Sequence, residues 1–371
     1  KRDRDVALLM VADDAGGAYA KPMLSNAIAL GKEAGQLVTH SAAQMAASLG
    51  AEILTHTQVS AIDSDARSIS TSRGEISYSK LVLALGAQPI GLALGGDAAD
   101  TVLSVNNIAD YALLRTRLAQ VGRPARVVIL GAGLIGCEFA DDLTAGGHSV
   151  TLVDPGARAL SALAAPSLSQ GLTQAWKARA ITLRLGTTAA QVEHVEGALA
   201  VTLANGERIQ ADLVLSAVGL RPAIALAQAA GLATGRGILV DARGQSSADG
   251  VYALGDCAEY TVEGGTAVLP YVAPLLTAAR AIAATLAGTP TAIAHQPDAV
   301  IVKTPSYRLA LAPPPPGTEG AWVDASDSER TIARFIDSAG LLRGYGMSAP
   351  TPALRQSLLA ELASKSGTDP N

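Results

Sequence analysis

Apolar runs that stop at glycine, proline or acidic residues recur along this chain, separated by stretches whose apolar residues return every three to four positions. Val6–Ala12 (VALLMVA) reads as a continuous buried strand ending at Asp13-Asp14, and Lys80–Pro89 as another, stopped by Gly86 and Pro89. Shorter strands are predicted over 51–55, 59–62, 68–71 and 75–78, with turns of Asp, Ser and Gly between them. A helix over 108–121 ends at Gly122 and Pro124, and a second α/β block follows. Its strands are predicted at 126–130, 149–153, 182–185 and 212–217, with a β-meander over 189–209. A strand at 249–254, ending at Gly255-Asp256, and an apolar helix at 272–287 come next. Beyond Pro290 the pattern changes to strands at 300–304, 321–323 and 331–336 and a closing helix at 352–364.

Two successive blocks of alternating strands and helices predict an α/β fold: two doubly wound, three-layer nucleotide-binding domains followed by a small C-terminal α+β domain. The expected boundaries are 1–107 with 243–289 for the first domain, 108–242 for the second and 290–371 for the third.

A chain of 371 residues that is 49% hydrophobic can bury more than one core. The net charge of -5 supplies no overall basic field, so nucleic acid is not an expected partner. No apolar run reaches the roughly 18 residues of a membrane span, and a cytoplasmic location is expected. Cys137 and Cys257 stand far apart, outside any C-x-x-C, and read as small buried hydrophobes. The five histidines occur singly, without metal-ligand spacing or a nucleophile elbow, and no metal site is expected.

The chemistry concentrates in VILGAGLIGCEFADDL, residues 128–143. Gly131-x-Gly133-x-x-Gly136 follows a predicted strand and opens a predicted helix, the context that a dinucleotide fingerprint requires. Gly131 permits the tight turn, Gly133 the approach of a pyrophosphate, and Gly136 close packing of helix on strand. The helix N-terminus, at Leu134 and Ile135, offers free N–H donors. Eighteen residues after Gly136, Asp154 ends the next strand, where a carboxylate accepts from a ribose 2′-hydroxyl and repels a 2′-phosphate. NADH is therefore favoured, with Arg158 leaving NADPH as the alternative.

The string VYALGDCAE, 251–259, resembles the flavin-binding signature of the two-dinucleotide-domain flavoprotein reductases, in which the aspartate, here Asp256, binds the ribityl chain of FAD. LVLALGAQP (81–89) and DLVLSAVGLRP (212–222) are similar to the elements that close the FAD and NAD units of that class. Within it, AYAKPMLS, LGAGLIGCEFADDL, LPYVAPLL and VKTPSYRLALAPPPPG most resemble the rubredoxin reductases, from about Val6 to beyond Trp322. One feature departs from the pattern: the family's first Gly-x-Gly-x-x-Gly, for the FAD pyrophosphate, is missing ahead of Val6. If Asp13 is the ribose acid of that unit, the spacing places the missing loop about five residues before Lys1, and a chain cut at its start is expected, with a protein that has lost its first strand and phosphate loop as the alternative.

The resemblance implies FAD and NADH as cofactors and rubredoxin, a small iron-sulfur carrier, as the acceptor of single electrons. It implies Lys21 near the flavin N5 and Glu138 pairing with a basic group there, both as catalytic residues. Further cofactor contacts are implied at Asp13, Pro22, Val59, Ala84, Gly86, Gly219, Gly255, Val272 and Lys303. A fixed ammonium beside a flavin receiving hydride stabilises the electron-rich reduced form whatever the family. With no paired cysteines, an internal disulfide relay is not expected. Arg308 and Arg343 are candidates for a positive docking patch. A ferredoxin reductase of the same build and a flavin-free NAD-binding remnant remain the alternatives.

Overall fold

The computed structural model describes residues 6–262, 264–295, 298–327 and 329–364. The chain divides into two compact units, taking their described residues from 1–20, 38–88 and 220–296 for the first and from 21–37, 89–219 and 297–371 for the second.

In the second unit, five parallel strands form a sheet in the order Ile181–Leu185, Ser149–Asp154, Arg126–Leu130, Leu213–Ser216, Leu103–Ser104. Both faces of this sheet are covered, which is why Val127, Val128, Ile129 and Leu130 are all buried rather than alternating. On one face the antiparallel meander Ala189–Val195, Ala198–Leu203, Arg208–Ala211 contributes Val192, Val201 and Leu203 to a core shared with Val128, Leu130, Val153 and Val214. Against the sheet also packs the helix Leu134–Ala145, with Phe139, Ala140 and Leu143 buried. The three-layer α/β expectation is met here.

The same unit contains a five-stranded antiparallel sheet in the order Val300–Val302, Leu309–Ala312, Leu342–Ser348, Ile332–Asp337, Gly320–Asp324. The helix Pro352–Ser364 closes it through Leu354, Leu358, Leu359 and Leu362, packed with Tyr345, Met347 and Ile332. A helix that the sequence reading passed over, Pro166–Trp176, buries Leu168, Leu172 and Trp176 at intervals of four.

In the first unit, Leu81–Leu83 pairs in parallel with Val251–Ala253, and Leu9–Val11 with Glu52–Leu54. Val59–Asp63, Ser68–Thr71 and Gly74–Ser77 form an antiparallel meander. Ala258–Val262 lies between Ile238–Leu239 and Gly265–Val268. Leu83, Val251, Ala253, Cys257, Tyr260 and Ala278, the last from the helix Val272–Leu286, share one core.

Two expected strands are corrected. The buried strand at 6–12 is only Leu9–Val11, and Leu8, Leu9 and Met10 are exposed. Among the described residues this strand has a ladder partner on one edge alone, so an apolar run that looks like core is left half open. The run 80–89 is two short strands, Leu81–Leu83 and Ala87–Pro89, because Gly86 takes φ +67° between them, which extended backbone does not allow.

Candidate nucleotide and redox sites

The glycine turn of the second unit is built as its spacing predicts. Gly131 adopts φ +107°, donates its N–H to the Val153 carbonyl at 2.7 Å, and could not carry a side chain: a Cβ would lie 2.5 Å from the Ala217 oxygen. A Cβ on Gly136 would come within 1.9 Å of the Gly131 oxygen, so only hydrogen there lets the helix seat on the turn. Gly133 differs from both, since a Cβ on it would meet no protein atom within 4 Å. It is the N-cap of Leu134–Ala145, without a side-chain cap, leaving first-turn N–H groups for a ligand. The space over Gly133 fits a dinucleotide pyrophosphate.

Asp154, half-buried at the end of its strand, accepts the Ala132 N–H on one carboxylate oxygen and the Gly156 N–H on the other, both at 2.7 Å. These bonds fix the carboxylate against the glycine turn, and each oxygen keeps a lone pair for a ribose hydroxyl. Gly219, at φ +123°, follows the neighbouring strand and accepts the Ile90 N–H through its carbonyl. Leu134 is half-buried and Ile135 exposed.

The helix Leu134–Ala145 also carries three buried acids, Glu138, Asp141 and Asp142, each with its own partner. Glu138 accepts from Ser25 Oγ at 2.5 Å and from the Lys303 backbone N–H at 2.9 Å, and its Oε2 pairs with the Lys303 ammonium. Asp141 accepts the Ser306 hydroxyl and N–H at 2.6 and 2.9 Å. Asp142 accepts the Ile28 and Ala29 N–H groups, both at 2.9 Å. Burial pushes the Asp142 carboxyl above the usual range, against those backbone hydrogen bonds. Only Glu138 had been singled out from the sequence. The signal for the others was available, in acids at i, i+3 and i+4 on a helix whose remaining residues are apolar except for Thr144, a pattern that demands buried partners.

The basic partner that these bonds give Glu138 is Lys303, joined to it across 165 positions of sequence. Lys21 and Pro22 open the 3₁₀ segment Lys21–Asn26 and are exposed. Arg343 is tied to Asp337 at 2.7 Å, which removes it from a free docking patch, whereas Arg308 is exposed.

In the first unit, the C-terminal ends of the paired strands Leu81–Leu83 and Val251–Ala253 bring Ala84, Gly86, Gly255 and Asp256 together. Cys257 joins the two turns, its thiol donating toward the Leu83 and Leu254 carbonyls at 3.5 and 3.3 Å. A Cβ on Gly255 would sit 3.1 Å from Leu275, which places the helix opened by exposed Val272 against the same turn. Asp256 is half-buried and its carboxylate accepts no hydrogen bond among the described residues. A half-buried acid with its lone pairs open suits a polyol hydroxyl such as the ribityl chain. Asp13 is exposed beyond Leu9–Val11, and the Ala12 carbonyl before it accepts the Thr57 N–H, two positions from half-buried Val59.

Burial pushes both thiols, Cys137 and Cys257, up and keeps them neutral. Among the described residues no group of His, Cys, Asp and Glu could hold a metal ion, and no helix is long and apolar enough to cross a membrane.

Glycine turns at the C-terminal ends of parallel strands, one in each unit, define a dinucleotide-binding α/β protein. The chain belongs to the pyridine nucleotide-disulphide oxidoreductase family, whose model matches residues 2–283. Residues 292–362 match the rubredoxin binding C-terminal domain. The chain is 40% identical over 98% of its length to rubredoxin-NAD(+) reductase of Alcanivorax borkumensis, covering 93% of that protein. It is 38% identical to the nitric oxide reductase FlRd-NAD(+) reductase of Aeromonas hydrophila, over 96% of this chain and 91% of that one. Putidaredoxin reductase, solved as a covalent complex with putidaredoxin, shares the fold with a TM-score of 0.87 at 24% identity, over 98% of this chain and 88% of that one.

Proposed function

We propose that this protein is an FAD-dependent NADH:rubredoxin oxidoreductase of the cytoplasm. The observation that carries the reading is the joining of a pyridine nucleotide reductase region, 2–283, to a rubredoxin-binding region, 292–362, in one chain. FAD supplies what a nicotinamide lacks, the ability to take a hydride and return its electrons one at a time to an iron carrier.

The residues divide this work. Gly131, Gly133, Gly136 and the uncapped helix at Leu134 hold the NADH pyrophosphate, with Asp154 on its adenosine ribose and Gly219 beside it. Asp256 holds the ribityl chain of FAD, with Asp13, Val59, Ala84, Gly86, Gly255 and Val272 as further contacts. Lys21 and Pro22 belong to the flavin N5 region, and Glu138 fixes Lys303 as a second cation for the electron-rich reduced ring. Apart from Glu138 and Lys303, residues 1–107 and 243–289 serve FAD, 108–242 serve NADH and 290–371 serve the carrier.

The test is steady-state reduction of purified rubredoxin, with a [2Fe-2S] ferredoxin and an FlRd-type carrier as competitors and NADPH as the alternative donor. A higher kcat/KM for rubredoxin with NADH is expected. Preference for ferredoxin overturns the acceptor, and protein that stays colourless in excess FAD overturns the flavin.

A further inference from the structure

We infer that Tyr260 is the positioning residue of the flavin site, setting the direction of Asp256 through the Gly255 amide. The inference rests on the reading of Asp256 given above. Gly255 is buried and adopts φ +74°, a left-handed turn whose buried N–H must find an acceptor. The acceptor is the Tyr260 hydroxyl, at 3.0 Å. Tyr260 returns to the turn from the strand Ala258–Val262 with 2% of its surface exposed. Burial pushes its phenol up to about 12, so it stays a neutral hydroxyl.

The ring has its own support. His295 stands edge-on to Tyr260, with centroids 4.6 Å apart and planes at 70°. Neither ring nitrogen of His295 has a hydrogen-bond partner among the described residues, and its contribution to Tyr260 is that of a packed ring. On the far side of Asp256 the Cys257 thiol is anchored to the Leu83 and Leu254 carbonyls. Asp256 thus sits between two tethered residues while its own carboxylate has no hydrogen-bond partner among the described residues. Its aim is set by backbone, and the Tyr260 hydroxyl is the side-chain bond that holds the backbone on the N-terminal side.

The experiment measures the FAD dissociation constant of the holoenzyme by recovery of flavin fluorescence on dilution, for the wild type, Tyr260→Phe, Asp256→Asn and the double variant. Loss of one hydrogen bond predicts an increase of about fivefold for Tyr260→Phe. The two substitutions act on one contact, so the double variant falls short of the product of the singles. A purely structural role for Tyr260 would lower the melting temperature and leave the factors multiplicative, which overturns the inference, as does an unchanged FAD constant in Tyr260→Phe. If Asp256→Asn alone leaves FAD binding unchanged, the ribityl assignment itself fails, and the inference with it. Should Tyr260→Phe not fold, His295→Leu removes the ring support with the hydroxyl retained. Weaker FAD binding is then expected, and unchanged binding overturns the inference.

Discussion

Glu138 grips Lys303 at two points: one carboxylate oxygen accepts the lysine's backbone N–H at 2.9 Å and the other its ammonium, with Ser25 Oγ on that same oxygen at 2.5 Å. The acid is 1% exposed and the lysine 29%, so the pair is shielded on one side only. A buried charge that loses its partner costs far more than a surface one.

Lys303→Met leaves the Glu138 carboxylate buried with neutral donors alone. Urea unfolding is expected to show a loss of about 2 kcal/mol, below the range for fully buried pairs because the ammonium reaches solvent. Adding Glu138→Gln in the same chain should recover part of that loss. Additive losses would show that the two groups do not act as a pair.

Gly133→Ala and Gly136→Ala separate binding from folding. At Gly136 the new methyl meets the Gly131 carbonyl at 1.9 Å, so a sharp fall in melting temperature is expected. At Gly133 the methyl enters open space. That variant should fold normally and bind NADH at least about tenfold more weakly, by titration, as the methyl occupies the pyrophosphate's place. Unimpaired NADH binding by Gly133→Ala would remove the pyrophosphate from this turn.

Asp212 governs one part of the acid limb. Burial works to raise its carboxyl, but hydrogen bonds from Arg126 and Arg123 and from the Arg126 backbone outweigh that and hold it below the usual carboxylate range. A depressed carboxyl contributes stability above its unfolded pKa and loses it as pH falls toward the folded value, so this contribution fades below about pH 4. Acid titration of unfolding free energy should show a shallower fall in Asp212→Asn than in the wild type, by about 1 kcal/mol, since both arginines are partly solvated. Parallel curves would refute the linkage.

Lys21→Met tests the flavin assignment directly. The reduction potential, measured by equilibration with reference dyes, is expected to fall by on the order of tens of millivolts, with slower flavin reduction by NADH, because a cation that favours the electron-rich ring is gone. An unchanged potential would place Lys21 outside the flavin's field.

The glycine turn was legible in the sequence because its requirements are local. Gly131, Gly133, Gly136 and Asp154 lie within one strand-helix-strand unit, and glycine at 131 and 136 is dictated by backbone contacts 2.5 and 1.9 Å from a would-be Cβ, while Gly133 leaves open space. The helix Pro352–Ser364 was legible for a similar reason, Thr351-Pro352 marking its start. The strand Leu342–Ser348 was missed, because Gly344 and Gly346 look like breakers. They are glycines because Pro314 and Leu168 approach within 2.5 and 2.4 Å of where a Cβ would stand.

The order of residues along the chain by itself determined the α/β class, the place of the dinucleotide turn and the Gly255-Asp256 signature, since each is a short-range pattern of backbone freedom and apolar spacing. Only the tertiary structure decided that Glu138 pairs with Lys303, that Asp142 clamps the backbone at Ile28 and Ala29, and that Tyr260 holds Gly255. The physical reason is that a buried polar group must be matched, but its partner is whichever group the fold carries to it, and sequence distance does not enter that condition.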